Sequence, residues 1–211
     1  MPINPKHLAP FVAGEYFHVY NRTNGSHKLF REDKNYQFFL NKFDELLASA
    51  LDPYAYCLLP SHFHYLVRIK ELIEIQAFVN AMGKYRTIDV NKTVVKQFQT
   101  FFTSYTMAFN EFYDRQGSLF NHRFKRIWVE SEEQLKQRVF YIHSNPVRHG
   151  LTKNFFEYPW SSYSLILSDK PTKLKKEELI ALFGGKEEFI KYHKERQPAI
   201  ARVRPFKKDN Y

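Results

Sequence analysis

The chain has 211 residues, room for one domain with additions and a sizeable buried core. Its 32 Lys and Arg against 22 Asp and Glu give a formal charge of +10 and a pI near 9.5, too basic for a typical metabolic enzyme and suited to a polyanionic partner, most simply nucleic acid. One cysteine, Cys57, excludes an internal disulfide and a multi-cysteine zinc site, and no apolar run approaches the ~20 residues of a bilayer span.

A soluble, cytoplasmic protein without membrane contact is therefore expected. Aromatic residues make up 18% of the chain, 21 of them Phe. Most of the Phe are assigned to the core, and those interleaved with Lys and Arg suit stacking on unpaired bases. Residues 1–14 read as an irregular leader rather than a signal peptide. Glu15 to Arg22, aromatic and β-branched, predicts the first strand, closed by the turn signal Thr23-Asn24-Gly25-Ser26. Helical spacing of Tyr36, Phe39, Leu40, Phe43, Leu46 and Leu47 predicts a helix from Asp33, its N-cap, to about Ala50, stopped by Asp52-Pro53. Tyr54 to Leu59 and His62 to Ile69 predict two coupled strands.

Leu72 to Thr93 gives a short helical pattern that dissolves at Gly83-Lys84-Tyr85-Arg86. Val95, Phe98, Phe102, Tyr105, Phe109 and Phe112 then mark a long amphipathic helix ending at Asp114-Arg115-Gln116-Gly117-Ser118. Phe124 to Val129 is the last predicted strand. Ser131 and Gln134 form a capping box for the next helix, which Asn145-Pro146 should end. Its Leu135, Val139 and Ile142 face the sheet, while Gln134, Gln137, Arg138, Tyr141 and Asn145 share the polar face. Lys175 to Arg196 predicts two short helices broken at Gly184-Gly185, and the basic tail from Arg202 is read as mobile.

Two groups of residues carry chemistry. His62 and His64 are two apart on a strand, so both imidazoles project from one face and form half of a divalent-metal site. Tyr141 on a polar helix face can attack a phosphorus and split strand transfer into two reversible steps. Asn145, one turn away, offers its carbonyl as a third ligand. Two imidazoles, an amide oxygen and water suit Mg²⁺ or Mn²⁺, the nitrogen ligands making Mn²⁺ at least as suitable. Arg22, Lys28, Arg31, Arg123, Lys125, Arg126, Arg138 and Arg148 are expected to form a basic, DNA-binding surface around the tyrosine helix.

His62-Phe63-His64 resembles the His-hydrophobic-His motif of single-tyrosine HUH transposases, and most of all their REP-associated tyrosine transposase branch. Further landmarks follow in that family's order: His18-Val19-Tyr20-Asn21-Arg22, Leu59-Pro60-Ser61, Phe109-Asn110, Gly117-Ser118-Leu119-Phe120 and Arg123-Phe124-Lys125. Tyr141-Ile142-His143-Ser144-Asn145-Pro146-Val147-Arg148-His149-Gly150 and Tyr158-Pro159-Trp160-Ser161-Ser162-Tyr163 complete them. The resemblance covers about residues 15–165. It implies an α+β, ferredoxin-like antiparallel sheet with helices on one face, a transposase-like domain over 15–168 and a helical, basic C-terminal extension over 169–211.

It also implies metal-dependent cleavage and rejoining of single-stranded DNA, often near a hairpin. Tyr141 would form a 5′-phosphotyrosine intermediate, with His62, His64 and Asn145 as metal ligands, in a monomer or homodimer. The stretch 72–93 is longer than the simplest family pattern. Two other readings stay open: a domesticated DNA-binding regulator without catalysis, and a metal-dependent hydrolase using water.

Overall fold

The structure, a computed structural model, describes residues 7–25, 27–83 and 87–201. The expectations for residues 1–6, Ser26, residues 84–86 and the tail from Arg202 lie outside the described residues. In chain order the elements are β1 (Tyr16–Arg22), α1 (Asp33–Leu47), β2 (Leu51–Leu59), β3 (His62–Ile69), α2 (Leu72–Ala81) and α3 (Val90–Phe112). They continue with β4 (Lys125–Val129), α4 (Glu132–Arg148), α5 (Tyr163–Leu167), α6 (Lys176–Leu182) and α7 (Lys186–Ala201). The strands form one antiparallel sheet in the order β2-β3-β1-β4, so β1 and β3 are central, as a ferredoxin-like α+β fold requires.

Alternation along the strands divides the sheet into two faces. On one face, Phe17 and Val19 of β1 and Phe63, Tyr65 and Val67 of β3 are buried. There the Phe43 ring of α1 stacks on Tyr65 at 3.8 Å, and Phe39 lies 5.1 Å from Phe63. Phe98 of α3 stacks on Phe11, whose edge meets Phe17. Phe11 is thus core although it falls in the stretch read as leader, and Leu8 bridges to Arg126 beside it. Most Phe residues are buried here, where each contributes large apolar area and ring-edge contacts.

The other face carries His18, Tyr20, His62 and His64, and α4 crosses β2 and β3 over it. The expectation of helices on one face is therefore corrected: α1 and α3 cover one side, α4 and the elements behind it the other. The cause is that β2 is buried along nearly its whole length, with no polar alternation to leave a face open to water.

Three boundaries move for local reasons. Glu32, not Asp33, occupies the N-cap of α1, because Asn35 Oδ1 reaches back to accept from the N–H groups of Arg31 at 2.9 Å and Glu32 at 3.3 Å. Asp52 and Pro53 lie inside β2 rather than stopping α1; Pro53 is tolerated on this edge strand at the register shift between it and Ala55. The helix α4 runs through Asn145-Pro146 to Arg148. Pro146 lacks the N–H that would bond Ile142 O, and Asn145 Nδ2 approaches that carbonyl instead at 3.5 Å. The Ser131 cap holds, its Oγ accepting from Gln134 N at 3.3 Å.

Candidate active site

The site is assembled where β1, β3 and α4 meet. In the β1–β3 register Tyr20 lies opposite His64 and Arg22 opposite His62, so one strip of sheet presents two imidazoles, a phenol and a guanidinium. The His62 and His64 rings are 5.2 Å apart and nearly perpendicular. Each is held through Nδ1: that of His62 lies 3.2 Å from the Ser61 hydroxyl, that of His64 2.9 Å from His18 Nε2. Tyr20 stacks on His18 at 4.9 Å and on His64 at 5.4 Å.

Burial drives the electrostatics. Desolvation pushes His64 and His62 well below the ordinary imidazole range, with neighbouring imidazoles adding to it. His18 is lowered to about 3 for the same first reason, Arg138 and His7 contributing. Neutral rings are the form that binds metals. Of the two tautomer pairs open to His18 and His64, only the one in which His64 Nδ1–H donates leaves a lone pair on His64 Nε2. A second residue that fixes tautomer and ring angle in this way is the usual companion of a ligating histidine.

The fit to a divalent metal can be tested on the donor atoms. His64 Nε2 and Asn145 Oδ1 are both buried with no hydrogen-bond partner among the described residues, an arrangement that costs roughly 1–3 kcal/mol per group unless something binds there. The Asn145 amide is oriented by Nδ2 donating to Tyr141 O at 2.7 Å, which leaves the oxygen available. Among the described residues no three His, Cys, Asp or Glu side chains converge in a metal-binding group, so any such ion would rest on two imidazoles, an amide oxygen and water. By donor type the residues present fit the group.

Tyr141, on the polar face of α4, reaches the histidines. Its half-buried ring meets His18 and His64 edge-on, each at 5.7 Å. Arg148 and Arg138 flank it, their guanidinium carbons 5.3 and 6.0 Å from the ring centre. Arg148 is steadied by Nε donating to Ser144 Oγ at 2.9 Å. Asn145 is fully buried rather than on an exposed polar face.

Beside this cluster opens a cavity of about 840 Å³, walled by Tyr20, Arg22, His62, His64, Arg123, Lys125 and His149 among others. Neither Tyr141 nor Asn145 is among its lining residues. The cations Arg22, Arg123 and Lys125 are thus brought together at the site. Arg126 is not: its Nε donates to Ala9 O at 2.7 Å and its guanidinium packs against Phe11 and Phe124 on the opposite face. Arg31 stacks on Tyr113, between α1 and the end of α3.

Two contributors escaped the sequence reading as site residues. His149 sits with its ring 4.5 Å from that of His62; the signal was the spacing of four along Tyr141, Asn145 and His149. His18 holds His64 across the sheet, and its only signal was sharing a strand face with Tyr20, which does not give the register.

No protein-family model matches the chain. It is 24% identical over 130 residues, 59% of this chain and 69% of the relative, to a Haemophilus influenzae protein assigned to the REP-associated tyrosine transposases. A solved structure of a REP-associated tyrosine transposase bound to a REP hairpin superposes with a TM-score of 0.55. That superposition is 18% identical and covers 77% of this chain and 86% of that one. In sequence and in fold alike, the chain resembles the REP-associated tyrosine transposases.

Proposed function

We propose that the protein is a transposase-like DNA-binding enzyme that cleaves and rejoins single-stranded, hairpin-bearing DNA through Tyr141. The observation that carries this reading is the meeting of Tyr141 with His64 and His18 across the α4–sheet junction. A purely structural tyrosine has no need of two guanidiniums and two deeply buried imidazoles around its ring. The likeness to a hairpin-bound relative supports DNA hairpins as the substrate class.

In the reaction, the Tyr141 phenol oxygen bonds to phosphorus as the bond to the 3′ oxygen breaks. The phenol gives up its proton and the departing 3′ hydroxyl gains one. Reversal with a new 3′ hydroxyl rejoins the strand. Arg138 and Arg148 face the phosphate with positive charge, and Arg22, Arg123 and Lys125 hold the flanking backbone in the cavity. His62, His64 and Asn145 would hold a divalent ion, Mg²⁺ or Mn²⁺, which would polarise the phosphate oxygens. His18 and Ser61 keep the two imidazoles aimed.

That Tyr141 is not part of the cavity wall favours one rival, a regulator that binds hairpin DNA without cutting it. Footprinting on a labelled hairpin strand, followed by strand cleavage with Mn²⁺ in the same tubes, separates the two. Protection with a nick at one phosphate supports the enzyme; protection without a nick over several hairpins supports the regulator.

A further inference from the structure

Behind the site runs a chain of buried hydrogen bonds that none of the chemistry above uses. His143 on α4, Ser162 just before α5 and His193 on α7 all have no exposed surface. His193 Nδ1 donates to Phe189 O at 2.8 Å, which leaves Nε2 of the neutral ring as an acceptor. His143 Nδ1 then donates to it at 3.0 Å, and His143 Nε2 accepts from the Ser162 hydroxyl at 2.9 Å. Ser162 Oγ accepts in turn from Tyr56 N of β2 at 2.9 Å. Each donor has one acceptor, so both tautomers are determined and neither ring is charged.

The relay is set in an aromatic wall. The His193 ring lies 4.3 Å from Phe189, 5.1 Å from Tyr163 and 5.7 Å from Phe140 of α4. Residue 143 is two positions beyond Tyr141, so the angle of α4 about its own axis sets both side chains together. Leu135, Val139 and Ile142 pack the same helix by apolar contact, and the relay adds to them a satisfied buried polar chain that specifies one alignment. Elsewhere the extension docks on the edge strand: Tyr54 hydrogen-bonds Glu178, and Lys175 N donates to Pro53 O at 2.9 Å.

We infer that His193, with His143 and Ser162, is a positioning relay through which the C-terminal helix α7 holds α4 at the angle that sets Tyr141 against His18 and His64. The extension is on this account part of the site rather than an appendage. The consequence for rate rests on the reading of Tyr141 as nucleophile; the consequence for helix placement does not.

The test uses the full chain with His193→Phe, which keeps ring volume and removes the acceptor, and His193→Gln, which restores an amide oxygen near the lost Nε2. With a labelled hairpin strand and Mn²⁺, His193→Phe should form covalent adduct at least tenfold more slowly than the parent at unchanged hairpin affinity, and His193→Gln should recover most of the rate. Hydrogen exchange should quicken at least tenfold at residues 139–145 in His193→Phe and stay unchanged in β3. Adduct formation and helix exchange both within twofold of the parent would overturn the inference. If the parent forms no adduct, the enzyme reading fails while the exchange comparison still decides the placement. Should His193→Phe not fold, imidazole ¹H–¹⁵N correlations on the parent decide: protons on Nδ1 of both His143 and His193 support the relay, and a proton on Nε2 of either overturns it.

Discussion

Buried neutral histidines should make this fold sensitive to mild acid, and His193 gives the clearest measure. Burial lowers it to about 4 from an ordinary 6.5. As pH falls through 6.5 the unfolded chain takes up a proton that the folded chain refuses until about 4, so stability is complete above 6.5 and is lost as pH falls. At ~1.4 kcal/mol per unit, this single ring accounts for about 2 kcal/mol of lost stability between pH 7 and pH 5. His193→Gln cannot be protonated. Urea unfolding of parent and variant in EDTA at both pH values should show the variant less stable at pH 7 but losing about 2 kcal/mol less on acidification. Equal losses in the two proteins would refute the reasoning, because the buried imidazole would then not be the group that titrates.

Other consequences are open to direct measurement. Phe43→Ala removes a fully buried ring stacked on Tyr65 and should cost about 3–5 kcal/mol in urea unfolding, with cleavage lost only in proportion to the unfolded fraction. Arg123→Ala and Lys125→Ala should each lower the slope of log affinity against log salt for hairpin DNA by roughly one, while Arg126→Ala, on the opposite face, should leave the slope unchanged and lower stability. Mn²⁺ at one hundred times its Kd should stabilise the parent by about 2.7 kcal/mol, and His64→Ala should abolish that gain; an undiminished gain would remove His64 from the ligand set.

Much of the fold was readable because its signals are local. The Pro60-Ser61 turn and the alternation after it gave β3 as His62–Ile69, and the phenylalanine spacing gave α1 and α3. The extent of α4 was not readable: Asn145-Pro146 is an ordinary helix stop, yet the helix runs on to Arg148 with the Asn145 amide turned back toward the Tyr141 and Ile142 carbonyls. The second helical cover of the sheet followed from β2 being apolar on both faces, a pattern a short strand shares with any buried segment. At the site, His62 and His64 were legible from a spacing of two. His18 and His149 needed the β1–β3 register and the close of α4, which are tertiary facts. The role given to α7 depends on a contact between residues fifty apart, His143 and His193, that no local pattern announces.

The central claim is that Tyr141 is the nucleophile, and a second phenol, Tyr20, stands in the same site as a built-in control. Incubating the protein with a 5′- and 3′-labelled hairpin strand and Mn²⁺, then resolving it on a denaturing gel, tests the claim most directly. The account predicts a covalent protein–DNA band carrying the 3′ label, present in Tyr20→Phe and absent in Tyr141→Phe and in EDTA. A band that survives Tyr141→Phe, or cleavage with no band at all, would contradict it.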